Sequence, residues 1–178
     1  MAIPRNLANI APHVAGSSGG ITGLTFNATQ SASAGANTLD DYEEGDWTPT
    51  LQGSVSNPTI GVWNTQGGKY VKIGRLCWIT GIMDFSGFSG GSGDIRIAGL
   101  PFTILNENAN GGTRGVLGTF GPTWDTNRTV IFCRPIVGQT FMTIVGYGSN
   151  QGQTTLSYST ASLTDGDAFY FSLCYVTS

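Results

Sequence analysis

The chain has 178 residues, enough for one domain with an appendage and for a core that needs no metal or disulfide to hold it. Charged side chains make up 11% of it, against about a quarter in an average soluble protein, so glycine (27 residues) and the hydroxyl and amide residues supply the polar surface. Eight basic residues against eleven acidic ones give a formal net charge of -3, with no Lys/Arg cluster to follow a phosphate backbone, which argues against nucleic acid as a partner.

The first stretch, M-A-I-P-R-N-L-A-N-I-A-P, lacks both the charged and the continuous apolar regions of a signal peptide. No segment approaches the roughly 20 apolar residues of a membrane span, so the expected product is used without export through a signal pathway and without membrane contact. Pro4 and Pro12 bracket a piece that offers only Leu7 and Ile10 for burial, Gly16–Gly20 is a flexible G-S-S-G-G linker, and Ala28–Gly35 is low in complexity. Residues 1–37 therefore read as an extended arm that gains order only on a partner, because it cannot offset its own conformational entropy.

Thr38–Leu51 (T-L-D-D-Y-E-E-G-D-W-T-P-T-L) holds five of the eleven acids and reads as a hinge between the arm and a domain spanning 38–178. From Trp47 the apolar period becomes two. Strands are predicted at Trp47–Leu51, Thr59–Trp63, Lys69–Ile73, Leu76–Phe85, Asp94–Ala98, Thr113–Phe120, Thr129–Cys133, Thr140–Tyr147, Thr154–Ser159 and Ala168–Val176, each bounded by Gly, Pro, Asn or Asp. In the last, Phe169, Phe171, Leu173 and Tyr175 share one face. Leu76–Phe85 is apolar on both faces, which predicts cover on both sides. With no helical run between strands, the expected fold is all-β, an antiparallel β-sandwich or jelly-roll-like domain. Ser86–Gly93, Asn106–Gly112 and the hairpin tip Ser149–Gln153 are expected as exposed, mobile loops.

No catalytic constellation emerges. Setting Gly45 at the sixth position of an EF-hand loop puts Tyr42 third and Leu51 twelfth, where ligands are required, so that reading fails; a looser carboxylate metal site competes with a plain solvated acidic turn. Gly-x-Ser-x-Gly occurs at Gly16–Gly20 and Gly87–Gly91, but no helix follows either, and the single histidine, His13, precedes both. Asp84, Asp94, Glu107, Asp125, Asp165 and Asp167 are scattered as on any surface. Trp63, Trp124, Tyr147 and Tyr158 suit either a sugar-binding platform or ordinary packing, packing being favoured. Cys77, Cys133 and Cys174 lie in apolar runs and are expected as buried free thiols. No cofactor is indicated.

Thr38–Leu51, with Leu24–Asn37 before it, resembles a module that recurs near the C-termini of tailed-bacteriophage virion proteins, tail fibres above all. The likeness continues through Gly68–Gly74 (G-K-Y-V-K-I-G) and Gly99–Thr103 (G-L-P-F-T), with Asp46 standing where the usual form has Thr or another small residue. The resemblance implies a homotrimeric, β-rich virion protein with no enzymatic activity attached to the motif. Residues 1–37 hold neither heptads nor a strand repeat to build a fibre shaft. The leading expectation is therefore a capsid decoration (cement) trimer. Its arm would lie on the major capsid protein or on tail proteins through Ile3, Leu7, Ile10, Val14, Ile21, Leu24 and Phe26. Asp40, Asp41, Tyr42, Glu43, Glu44 and Trp47 would form a structural turn at the domain edge, the carboxylates taking backbone N–H groups and Tyr42 and Trp47 anchoring the apolar side. The alternative is a short tail fibre or receptor-binding tip that recognises host surface glycans.

Overall fold

The computed structural model describes residues 42–105, 113–124, 128–148 and 151–177. The arm residues, His13, Asp40, Asp41 and the 106–112 segment fall outside them. All regular structure among the described residues is β, as the alternating pattern predicts. The strands are β1 (Tyr42–Trp47), β2 (Thr50–Gly53), β3 (Ser56–Thr59), β4 (Val62–Ile73), β5 (Leu76–Ser86), β6 (Ser89–Ser92) and β7 (Ile95–Ala98). There follow β8 (Gly115–Phe120), β9 (Thr123–Trp124), β10 (Val130–Pro135), β11 (Phe141–Gly148), β12 (Gln151–Thr155), β13 (Ala161–Ser162) and β14 (Ala168–Val176).

One ten-stranded antiparallel sheet, ordered β1-β4-β5-β14-β8-β10-β11-β7-β2 with β12 beside β11, makes up most of the domain. The path's two ends, β1 and β2, are joined by Thr48 and Pro49 alone. A two-residue link cannot bridge a flat sheet of that width, so the sheet curls until its edges meet at this corner, where Gln66 Nε2 donates to the Pro49 carbonyl at 2.8 Å. The predicted single strand Trp47–Leu51 is broken there, because Pro49 has no N–H to give a ladder. The expected antiparallel all-β domain is thus built largely from one sheet that curls into two layers.

The core lies between those layers. Ile79, Met83, Phe85, Phe169 and Leu173 from β5 and β14 are buried with Ile95, Ile97, Met142 and Ile144 from β7 and β11; each such side chain contributes roughly 1.5–3 kcal/mol. The predicted inward face of β14 is as expected, with Phe169, Phe171, Leu173 and Tyr175 all buried. Strand β5 departs from its prediction: Cys77, Ile79, Met83 and Phe85 are buried, but Leu76 and Trp78 are 53% and 47% exposed within the single chain. The Ser86–Gly93 loop is also corrected. Its residues 89–92 form β6 and pair with β3, and Phe88 packs on Phe85 with ring centroids 5.7 Å apart, the tight path being allowed by left-handed Gly87 and Gly90 (φ 67° and 72°). These glycines, not a nucleophile elbow, account for the second Gly-x-Ser-x-Gly. Cys77 and Cys133 are buried and Cys174 half-buried, all with free thiols.

Candidate interaction face

The acidic stretch is a strand from Tyr42 onward, not a turn. Its alternation sends Glu43, Gly45 and Trp47 to the inner face and Tyr42, Glu44 and Asp46 to the outer one, in register with β4 from Tyr42↔Ile73 to Trp47↔Gly68. The carboxylates of β1 meet side chains rather than backbone amides. Glu43 Oε1 accepts the Tyr70 hydroxyl at 2.6 Å, Glu44 Oε2 accepts the Tyr42 hydroxyl at 2.6 Å, and Asp46 pairs with Lys69 at the surface. The bond to Glu43 pushes the Tyr70 phenol up to about 12, and that to Glu44 raises Tyr42. Trp47 does anchor the stretch in the core, whereas Tyr42 faces outward. Among the described residues no three His, Cys, Asp or Glu side chains gather as a metal site.

Trp47 reaches the core by crossing glycines. Trp47, Gly68, Gly81 and Phe171 form one cross-strand row over β1, β4, β5 and β14. A Cβ on Gly68 would lie 2.2 Å from the indole nitrogen of Trp47, and one on Gly81 would lie 2.3 Å from the Phe171 ring. The rings fill the space over the two bare backbones, and the indole N–H donates to the Thr80 carbonyl at 3.0 Å. A glycine inside a strand signals such close approach; here that signal, Gly68 within β4 and Gly81 within β5, marks positions that strand assignment alone passes over.

The opposite side of these strands is the outer face. At one end Tyr42, Ile73, Leu76 and Val176 make an apolar row, followed by Val71, Trp78 and Cys174 in the next. Trp78 Nε1 donates to Ser172 Oγ at 3.1 Å. Further along, an open depression of about 690 Å³ is lined by Asp46, Lys69, Gly67, Thr80, Ile82 and Tyr170, with Tyr170 48% exposed. Exposed aromatic and aliphatic side chains in contiguous rows mark an interaction surface more than a solvated one.

Other candidate residues are structural where described. Trp63 packs edge-on to Phe85, Trp124 to Phe169, and Tyr158 stacks on Phe88 while its hydroxyl donates to the Gln52 carbonyl; Tyr147 stacks on Phe132 across the domain, so the four make no common platform. Asp84 accepts from Asn64, Asp165 from the Phe88 amide, and Asp167, 1% exposed, from the Thr164 amide at 2.6 Å. Burial raises the Asp167 carboxyl above the ordinary range.

No protein-family model matches the chain, and no curated protein matches it. Among solved structures it is similar to the crystal structure of Dettilon tailspike protein (gp208), with a TM-score of 0.53 and 16% identity over 76% of this chain. The chain spans 24% of that protein's length. At that identity the likeness establishes a shared antiparallel β architecture. Among the described residues no helix is long and apolar enough to cross a membrane.

Proposed function

We propose that the chain is a non-enzymatic structural protein of a bacteriophage virion, carried on the tail as a homotrimeric β module. The observation that carries the reading is the fold likeness to a tailspike protein, which agrees with the resemblance of the L-D-D-Y-E-E-G-D-W-T-P stretch to tail-fibre modules. The homotrimer draws on the outer face, where Tyr42, Ile73, Leu76 and Trp78 stand exposed in the single chain; closed symmetry buries such rows on every copy. The arm, through Ile3, Leu7, Ile10, Val14, Leu24 and Phe26, is the attachment element, and host surface glycans are the ligand of the outward-facing domain.

Capsid decoration is the second reading, favoured by one observation: residues 1–37 contain no heptad or strand repeat from which to build a shaft. Copy number on purified virions separates the two. A few copies, labelled on the tail by antibody in electron micrographs, support the tail reading; hundreds spread over the head replace it with decoration, and absence from virions removes both.

A further inference from the structure

The outer face of the second layer carries a different chemistry. Strand registers place Gln52, Arg96, Thr143 and Arg134 in one cross-strand row over β2, β7, β11 and β10. Their in-strand neighbours Leu51, Ile95, Ile97, Met142, Ile144 and Cys133 are buried in the core, so the row faces away from it. Thr143 is 4% exposed, flanked by an arginine on either neighbouring strand.

Among the described residues no carboxylate neutralises either guanidinium. Arg96 lies over the Phe141 ring, 4.4 Å from its centroid, and Arg134 Nη2 donates to Thr155 Oγ1 at 3.2 Å. The Nε of each is buried without a hydrogen-bond acceptor, and among the described residues no carboxylate comes within 4.0 Å of either. Arg96 and Arg134 come from the two strands that flank β11, so both cationic side chains stand on the same face beside Thr143.

The flank suits a sugar. Phe132 and Tyr147 stack with centroids 5.4 Å apart, and Arg114 lies 5.5 Å over Phe132. The Tyr147 hydroxyl and Arg114 Nη2 both donate to Gln153 Oε1, at 3.2 and 3.1 Å. The exposed Tyr147 ring beside the Gln153 amide is apt for a pyranose ring and its hydroxyls, while guanidinium forks match the oxygens of a carboxylate or phosphate.

We infer that this face binds the oxyanion, carboxylate or phosphate, of an acidic saccharide, with Arg96 and Arg134 as its two cationic contacts. The inference deepens the host-glycan side of the proposed function. Binding by the isolated chain tests it without reference to virion location, so either reading can fail while the other stands.

The experiment titrates the full chain calorimetrically with trigalacturonate, with glucose 6-phosphate and with neutral maltotriose. Saturable binding of either acidic probe, weaker in added salt and absent for maltotriose, is expected; which acidic probe binds tells carboxylate from phosphate. The Arg96→Gln/Arg134→Gln variant should bind about tenfold more weakly or worse, and the Arg96→Lys/Arg134→Lys variant should fall between, since lysine keeps the charge and loses the fork. Thermal unfolding without ligand checks each fold, and Arg134→Gln alone substitutes if the double glutamine variant does not fold. Failure of both acidic probes at millimolar concentration, equal binding of maltotriose, or unchanged affinity in folded variants would overturn the inference.

Discussion

Trp47 and Phe171 reach toward each other from β1 and β14 and meet edge to face, ring centroids 5.8 Å apart, over the bare backbones of Gly68 and Gly81. The contact spans two intervening strands and fixes the first described strand to the last. Any side chain at Gly81 must displace the Phe171 ring, so Gly81→Ala should cost about 1–3 kcal/mol by overpacking, and Phe171→Ala about 3–5 kcal/mol. Denaturant titration of the double variant should give a cost well below the sum, because with the ring gone the added methyl meets nothing. Full additivity would show that the row is not one unit.

The Tyr70–Glu43 bond predicts an alkaline loss of stability. With its folded phenol at about 12 and an unfolded value near 10, Tyr70 is still protonated in the native chain when the unfolded chain has released its proton. Its contribution is complete below about pH 10 and lost as pH rises toward 12. Urea midpoints measured from pH 8 to 11.5 should therefore fall less steeply in Tyr70→Phe than in the wild type.

Thiol reactivity should rank by burial. Cys133, fully enclosed and pushed up to about 12 by that burial, should resist Ellman's reagent at pH 8 until the domain unfolds, as should buried Cys77. Cys174, half-buried beside Trp78 on the outer face, should react first in dilute protein and become protected where copies associate.

Association itself is checked by light scattering. The wild type is expected at three times the chain mass and Leu76→Glu at one, with the variant's monomer stability within about 0.5 kcal/mol because Leu76 is half exposed in the single chain. A wild type that stays monomeric at micromolar concentration would remove the trimer.

Deleting residues 2–26 leaves the compact unit Tyr42–Ser178 intact. The shortened protein should fold and associate normally, yet no longer bind virions stripped of the native one; sedimentation with such particles reads the difference. Full binding would move attachment to the β domain.

The sequence by itself determined the fold class and the inward residues of β14, since period-two alternation is a property of neighbouring residues and survives any tertiary arrangement. It also carried the anchoring of Trp47, one large apolar ring among acids. Only the tertiary structure decided that Tyr42–Trp47 is a strand, because so acidic a segment becomes one through pairing with β4, a partner 21 or more residues away. The same holds for which side of Leu76–Phe85 is covered, as both faces read alike until the sheet curls. The row that sets Arg96 and Arg134 about Thr143 joins β7 to the β10–β11 hairpin, a partner distant in the chain. Register is long-range: a shift of one residue would turn each of these side chains to the other face, and no local pattern records it.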